Sequence, residues 1–272
     1  MDVRRICRPA LAALALLIAV CPALTPLRAV ATGEEEGSME THSGDEVTRL
    51  TQAINDSMDS LEDKVAQVLF ERYRRAFTVC RTITSPGLDE ITQYWCPEDD
   101  PTLVFSAQVR KGPVVRDDYV ARLRAREFEQ SLVASLEALG CDSAANAVLP
   151  RCDTTGDDPS TTLSQLLGRE GSIGMLVRVA LRAPVPDPDG VAQALCDAGL
   201  ACGASVVFNG YVLGDEGFEA CRRQFMAVPS TSHDIITAFD PVAQFELVTE
   251  NGACDVVSQQ GIAMTGGEKH AE

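Results

Sequence analysis

Residues 172–183 read SIGMLVRVALRA. Apolar and polar positions alternate through this stretch, the period of two expected of a strand with one buried face. It decides the fold class because the chain changes character on either side of it. On the C-terminal side, strands and short helices follow one another. PVPDPDG (184–190) is a loop, VAQALCDAGL (191–200) a short helix, and ASVVFNGYVLG (204–214) a second strand interrupted at Asn209-Gly210. DEGFEACRRQFMA (215–227) is another helix. VAQFELVTE (242–250) and ACDVVSQ (253–259) flank Asn251-Gly252, the residues favoured in a two-residue hairpin turn because both tolerate positive φ.

On the N-terminal side the pattern is helical. From Asp45 to about Cys80 there is no Gly or Pro, and Val47, Leu50, Ile54, Met58, Leu61, Val65, Val68 and Phe77 recur mostly three or four apart. Ser43 and Glu46 form a capping box at the start of this helix. A short strand is expected over Leu103–Val109, and RDDYVARLRAREFEQSLVASLEALG (116–140) is a second long helix with Gly140 as its stop. Cys141 to Cys152 reads as a looped hairpin closed by a bridge, and DTTGDDPST (153–161) as a linker. The expected fold class is α+β: long N-terminal helices, then a mixed α/β region with an antiparallel hairpin, the whole stapled by disulfides. The expected division is a signal peptide over 1–31, a flexible acidic leader over 32–44, a helical region over 45–155, an α+β region over 160–265 and a polar tail over 266–272.

The signal peptide rests on Arg4, Arg5 and Arg8, an apolar run from Ala10 to about Ala23, and Ala29-Val30-Ala31 as the cleavage site. That run falls short of the roughly 20 apolar residues a membrane-spanning helix needs. The expectation is a secreted chain, extracellular or in the lumen of the secretory pathway, peripheral at the cell surface and without a membrane span. The formal charge of the whole chain is −17. Residues 1–31 hold four arginines and one aspartate, or +3, which leaves −20 for the remainder. Such a surface repels nucleic acid and favours cationic partners.

Eight cysteines follow the signal segment: Cys80, Cys96, Cys141, Cys152, Cys196, Cys202, Cys221 and Cys254. An even number in an exported chain reads as up to four disulfides. Metal binding would need Cys-x-x-Cys pairs or closely spaced histidines, and the sequence has neither. No cofactor or metal is expected.

Candidate sites are sparse. Ser232-His233-Asp234 contains the residue types of a hydrolytic triad, but consecutive residues point in different directions. Asp187-x-Asp189-Gly190 and Asp153…Asp157-Asp158 cluster oxygens as a calcium loop does, without the closing glutamate. Arg72, Arg75, Arg122 and Arg126 belong to basic islands on the two long helices and are the candidate contacts for a partner. Asn55-Asp56-Ser57 is a glycosylation sequon, with Asn55 as acceptor. The reading that follows is a non-catalytic, protein-binding module, a surface antigen or a subunit of an extracellular or adhesion complex, whose partner is a basic or membrane-displayed protein. The alternatives are a secreted hydrolase using carboxylates or His233, and a structural matrix or coat component.

Overall fold

The structure is a computed structural model and describes residues 42–84, 90–110 and 115–264. The expected signal peptide, residues 32–41 of the expected leader and the 266–272 tail lie outside the described residues, as does the side chain of Asn55. Residues up to Gln52 and those from Ala53 onward form two compact units. The described part of the first is the beginning of helix α1 (His42–Tyr73), and all that follows concerns the second.

In the second unit α1 buries Val65, Leu69 and Tyr73, one face at a spacing of four. The helix stops at Tyr73, earlier than its apolar spacing suggests. Arg74 turns into the left-handed region (φ 52°), with its N–H on the Phe70 carbonyl at 2.8 Å. Phe77, expected on the helix, begins a strand instead.

β1 (Phe77–Thr84), β2 (Glu90–Pro97), β3 (Phe105–Arg110) and β4 (Val115–Asp117) form a four-stranded antiparallel sheet in sequence order. The stretch expected to be helical over 45–155 therefore contains a sheet, of which only β3 was legible as a strand. Trp95 sits opposite both Val79 and Phe105 and is 2 % exposed. Tyr73, Phe77, Phe105 and Tyr119 of the same core stack edge-on or tilted on one another, with centroids 4.6 Å (Tyr73–Tyr119) to 6.1 Å (Tyr73–Phe77) apart.

Helix α2 (Tyr119–Ala138) follows as the sequence predicts and leads through the Gly140 turn (φ 77°) into β5 (Ser143–Val148). The expected hairpin between Cys141 and Cys152 is this single strand, with one cysteine beyond each end and no bond between them. After the short helix α3 (Leu163–Leu167) come β6 (Met175–Arg182), α4 (Pro188–Ala201), β7 (Val206–Leu213), α5 (Asp215–Ala227), α6 (His233–Thr237), β8 (Ala243–Glu250) and β9 (Ala253–Gln260). β5 to β9 make a five-stranded sheet in that order, parallel between β6 and β7 and antiparallel elsewhere. α4 supplies the crossover that a parallel pair requires. One face buries Val177, Val179, Phe208, Phe245 and Leu247 in a hydrophobic cluster shared with α1, α2, α4 and the four-stranded sheet. On the other face Ala180 and Tyr211 meet Phe218, Cys221 and Phe225 of α5 and Ile236 of α6.

The β8–β9 hairpin turns at Asn251 (φ 53°) and Gly252 (φ 76°), the two positive φ angles of a two-residue primed turn. β7 runs through Asn209-Gly210 without the expected interruption. Gly210 is required there by packing rather than by a turn. A Cβ on it would fall 1.9 Å from Cζ of Phe245, whose ring lies across the strand. Of the eight cysteines expected in bridges, Cys196 and Cys254 are bonded and tie α4 to β9, whereas Cys80, Cys96, Cys141, Cys152, Cys202 and Cys221 are free. Cys202, just past the end of α4, and Cys221, on α5, are buried as small apolar side chains.

Substituting Gly210→Ala should overpack this site and lower unfolding stability by about 1–3 kcal/mol. Urea unfolding of the two proteins at equal slope checks it.

Candidate functional site

A cleft is formed where the start of α2 passes between the two sheets. It encloses about 400 Å³, with β3 and β4 on one wall, the first turns of α2 as floor, and the end of β5 with the turn after it opposite. Pro229 and Ser230, from the loop between α5 and α6, complete the lining. Asn146 of β5 holds that loop in place, its Oδ1 accepting from the Thr231 N–H at 3.0 Å.

The local sequence RDDYVAR builds the floor. Asp117 ends β4 with a fully buried carboxylate, which accepts from Tyr73 Oη (2.5 Å), Arg72 Nη1 (2.7 Å) and the Tyr119 N–H (3.3 Å). Burial raises its pKa from the usual carboxylate range, and these donors pull the other way. Asp118 stands at the N-cap of α2 without capping it. Its carboxyl reaches back to β3 and accepts from Ser106 N (2.6 Å) and Ser106 Oγ (2.8 Å). Burial raises the pKa of this carboxyl too.

One turn further on, Arg122 forms a bidentate pair with Glu129 (2.5 and 3.0 Å), both side chains more than nine-tenths buried. The pair grips the edge of the five-stranded sheet: Ala147 N–H donates to Glu129 Oε1 at 2.7 Å and Ala147 O accepts from Arg122 Nη1 at 3.2 Å. At the mouth two guanidiniums are differently placed. Arg116 is half-exposed and lies 3.9 Å from the carboxylate of Asp153, and Arg151 is exposed, in the left-handed region (φ 59°), and without an ion pair among the described residues.

The four arginines expected to dock a partner are thus held by the protein itself. Arg72 sits on Asp117 and Arg122 on Glu129. Arg75 donates to Asp99 and to Tyr119 Oη (2.9 Å), and Arg126 to Thr102 O (3.2 Å) and Thr102 Oγ1 (2.9 Å). Three of the four meet carboxylates, as the acidic balance of the chain favours, and Arg126 meets the carbonyl and hydroxyl of Thr102 instead. Arg116, from the basic island at the start of α2, and Arg151, which sequence spacing did not single out, line one cleft only because the fold brings β4 and the turn after β5 around it.

His233 is likewise engaged, its Nδ1 2.7 Å from Tyr211 Oη, in the first turn of α6. Ser232 is the N-cap of that helix, accepting from the Ile235 N–H, so the three residues of the triad-like stretch do not converge on one another. The acids of the calcium-like loops have local duties. Asp187 accepts from the Gly190 N–H, Asp153 from the Thr155 N–H and Asp158 from the Ser160 N–H, while Asp157 pairs with Arg169. Among the described residues no group of three or more His, Cys, Asp or Glu side chains is placed to hold a metal ion. Nor is any helix among them long and apolar enough to cross a membrane.

The fold is similar to that of a DUF5037 family protein from Ruminococcus gnavus ATCC 29149, with a TM-score of 0.56 and 14 % identity over 71 % of this chain and 92 % of that one. That likeness is one of fold alone. No family model matches the chain, and no curated protein does.

Glu129→Gln should destabilise the protein by about 3–5 kcal/mol, since it leaves the Arg122 guanidinium buried and uncompensated. Chemical denaturation reads this directly. Asp118, with its pKa raised in the fold, contributes stability that is complete below the pKa of the unfolded chain and is lost as pH rises through the folded value. Asp118→Asn should therefore gain stability relative to the parent between about pH 4 and neutrality, measured as melting temperature against pH.

Proposed function

We propose that the protein is exported and acts without catalysis, as a disulfide-stabilised module that binds another protein through this cleft. The observation that carries the reading is the division of labour among its charges. The interior acids and Arg122 are engaged by internal hydrogen bonds, while at the mouth Arg116 has a 3.9 Å contact to Asp153 and Arg151 has no ion pair among the described residues. Groups already occupied hold a shape well and exchange protons poorly, so the arrangement suits recognition over turnover. The ligand group that fits the mouth is a carboxylate on an exposed segment of the partner. At longer range the acidic surface attracts a partner whose remaining surface is basic. The Cys196–Cys254 bridge supports export, because such bonds persist in oxidising compartments.

The wild-type chain immobilised in its native extracellular medium should retain one stoichiometric protein. The double substitution Arg116→Ser/Arg151→Ser should weaken that binding by about tenfold in a titration with the recovered partner. Equal binding by both chains would remove the cleft from the proposal. Ester, glycoside or peptide hydrolysis that disappears on His233→Ala in a folded chain would replace binding with catalysis.

A further inference from the structure

Cys80 lies at an irregularity in the pairing of the first two strands. Val79 faces Trp95 and Arg81 faces Tyr94, so Cys80 is the extra residue of a β-bulge. Thr78 is the register partner of Cys96, which makes Cys80 and Cys96 diagonal neighbours across the pair. The two sulfurs are 2.8 Å apart. That is only about 0.8 Å beyond the roughly 2.0 Å of a disulfide bond. Cys80 is exposed and Cys96 is 3 % exposed. Among the described residues none of the other four free thiols touches a sulfur.

We infer that Cys80 and Cys96 are a second, oxidisable staple, closed by a disulfide-bearing oxidant such as glutathione disulfide or the active-site disulfide of an oxidoreductase. The exposed Cys80 thiolate attacks one sulfur of the oxidant, displaces the other as a thiolate, and becomes a mixed disulfide. The Cys96 thiolate then attacks Cys80 Sγ, forms the Cys80–Cys96 bond and expels the second thiolate. Two protein thiols lose two protons and two electrons, and the oxidant's disulfide is reduced to two thiols. Burial and the neighbouring sulfur push the Cys80 thiol up to about 12, so its thiolate is scarce at neutral pH and uncatalysed closure is slow. The bond would lock β1 to β2 beside Trp95, in the sheet that the Cys196–Cys254 bridge does not reach. It stands independently of the binding proposal.

Trypsin separates the two cysteines after Arg81, into AFTVCR (76–81) and the peptide 82–110. Full-length protein incubated with glutathione disulfide at about pH 8.5, then alkylated and digested without reduction, should yield these two peptides as one linked mass. The protein should lose two titratable thiols, and Cys80→Ser protein should lose none to an internal bond. Separate alkylation of both cysteines after oxidation would overturn the inference. So would a glutathione adduct that persists on Cys80, or an internal bond of Cys96 to another cysteine in the wild-type chain.

Discussion

The Arg122–Glu129 pair and its hold on Ala147 connect the parts that define the cleft. β5 is an edge strand of the five-stranded sheet, and an edge exposes backbone groups that need partners. The N–H and C=O of Ala147 find theirs in two side chains of α2, so a helix stands where another strand would otherwise add. Replacing the pair with apolar residues of similar volume would relieve the cost of burying charge but leave both Ala147 groups without partners, in a place 1 % exposed. The ion pair is therefore tied to the backbone it serves, and α2 is fixed against β5 at a single depth and rotation.

Everything at the cleft follows from that placement. With Arg122 pinned, Asp118 one turn earlier must face β3, where Ser106 supplies two donors, and Asp117 must face α1, where Tyr73 and Arg72 do so. Each buried carboxyl is raised by desolvation and restrained by its donors, the balance expected of acids used as joints. Cations that the geometry brings close to buried acids become structural, as Arg72 and Arg122 do.

The sequence made the C-terminal half legible because its signals are local. Alternation marked β6, the stretch 215–227 was read as the helix α5, and Asn251-Gly252 marked a turn whose two positive φ angles the structure contains. The first sheet was obscure for an equally local reason. Helix α1 ends at Tyr73, before an arginine in the left-handed region, with neither Gly nor Pro to announce the stop. Phe77 then falls where the helical spacing predicts an apolar residue, although it belongs to the alternating strand FTVCRTIT. Gly210 misled in the opposite direction. Its role is to make room for the ring of Phe245 on the neighbouring strand, and that contact joins positions 35 residues apart in sequence, which no short window contains. The cleft was hidden for the same cause: its rim arginines come from β4 and the turn after β5 and share no sequence pattern.

Cysteine parity predicts up to four bridges where the described residues hold one, and the environments of the thiols explain the difference. An even count suggests full pairing only where thiols are held in the fold for cross-linking. Cys221 faces Phe218 and Phe225 in an apolar cluster, and Cys202, at the end of α4, donates to the Ala198 carbonyl. Burial pushes these two thiols up to about 12 and about 11, so each stays protonated and inert where it packs. In such positions sulfur serves as a small apolar group, and pairing is decided by whether two strands or a strand and a helix carry cysteines to one point. α4 and β9 do so at Cys196 and Cys254, whose Cα atoms are 5.6 Å apart. The bulge in β1 does so again at Cys80, by turning a side chain toward Cys96 that an unbroken ladder would have aimed elsewhere.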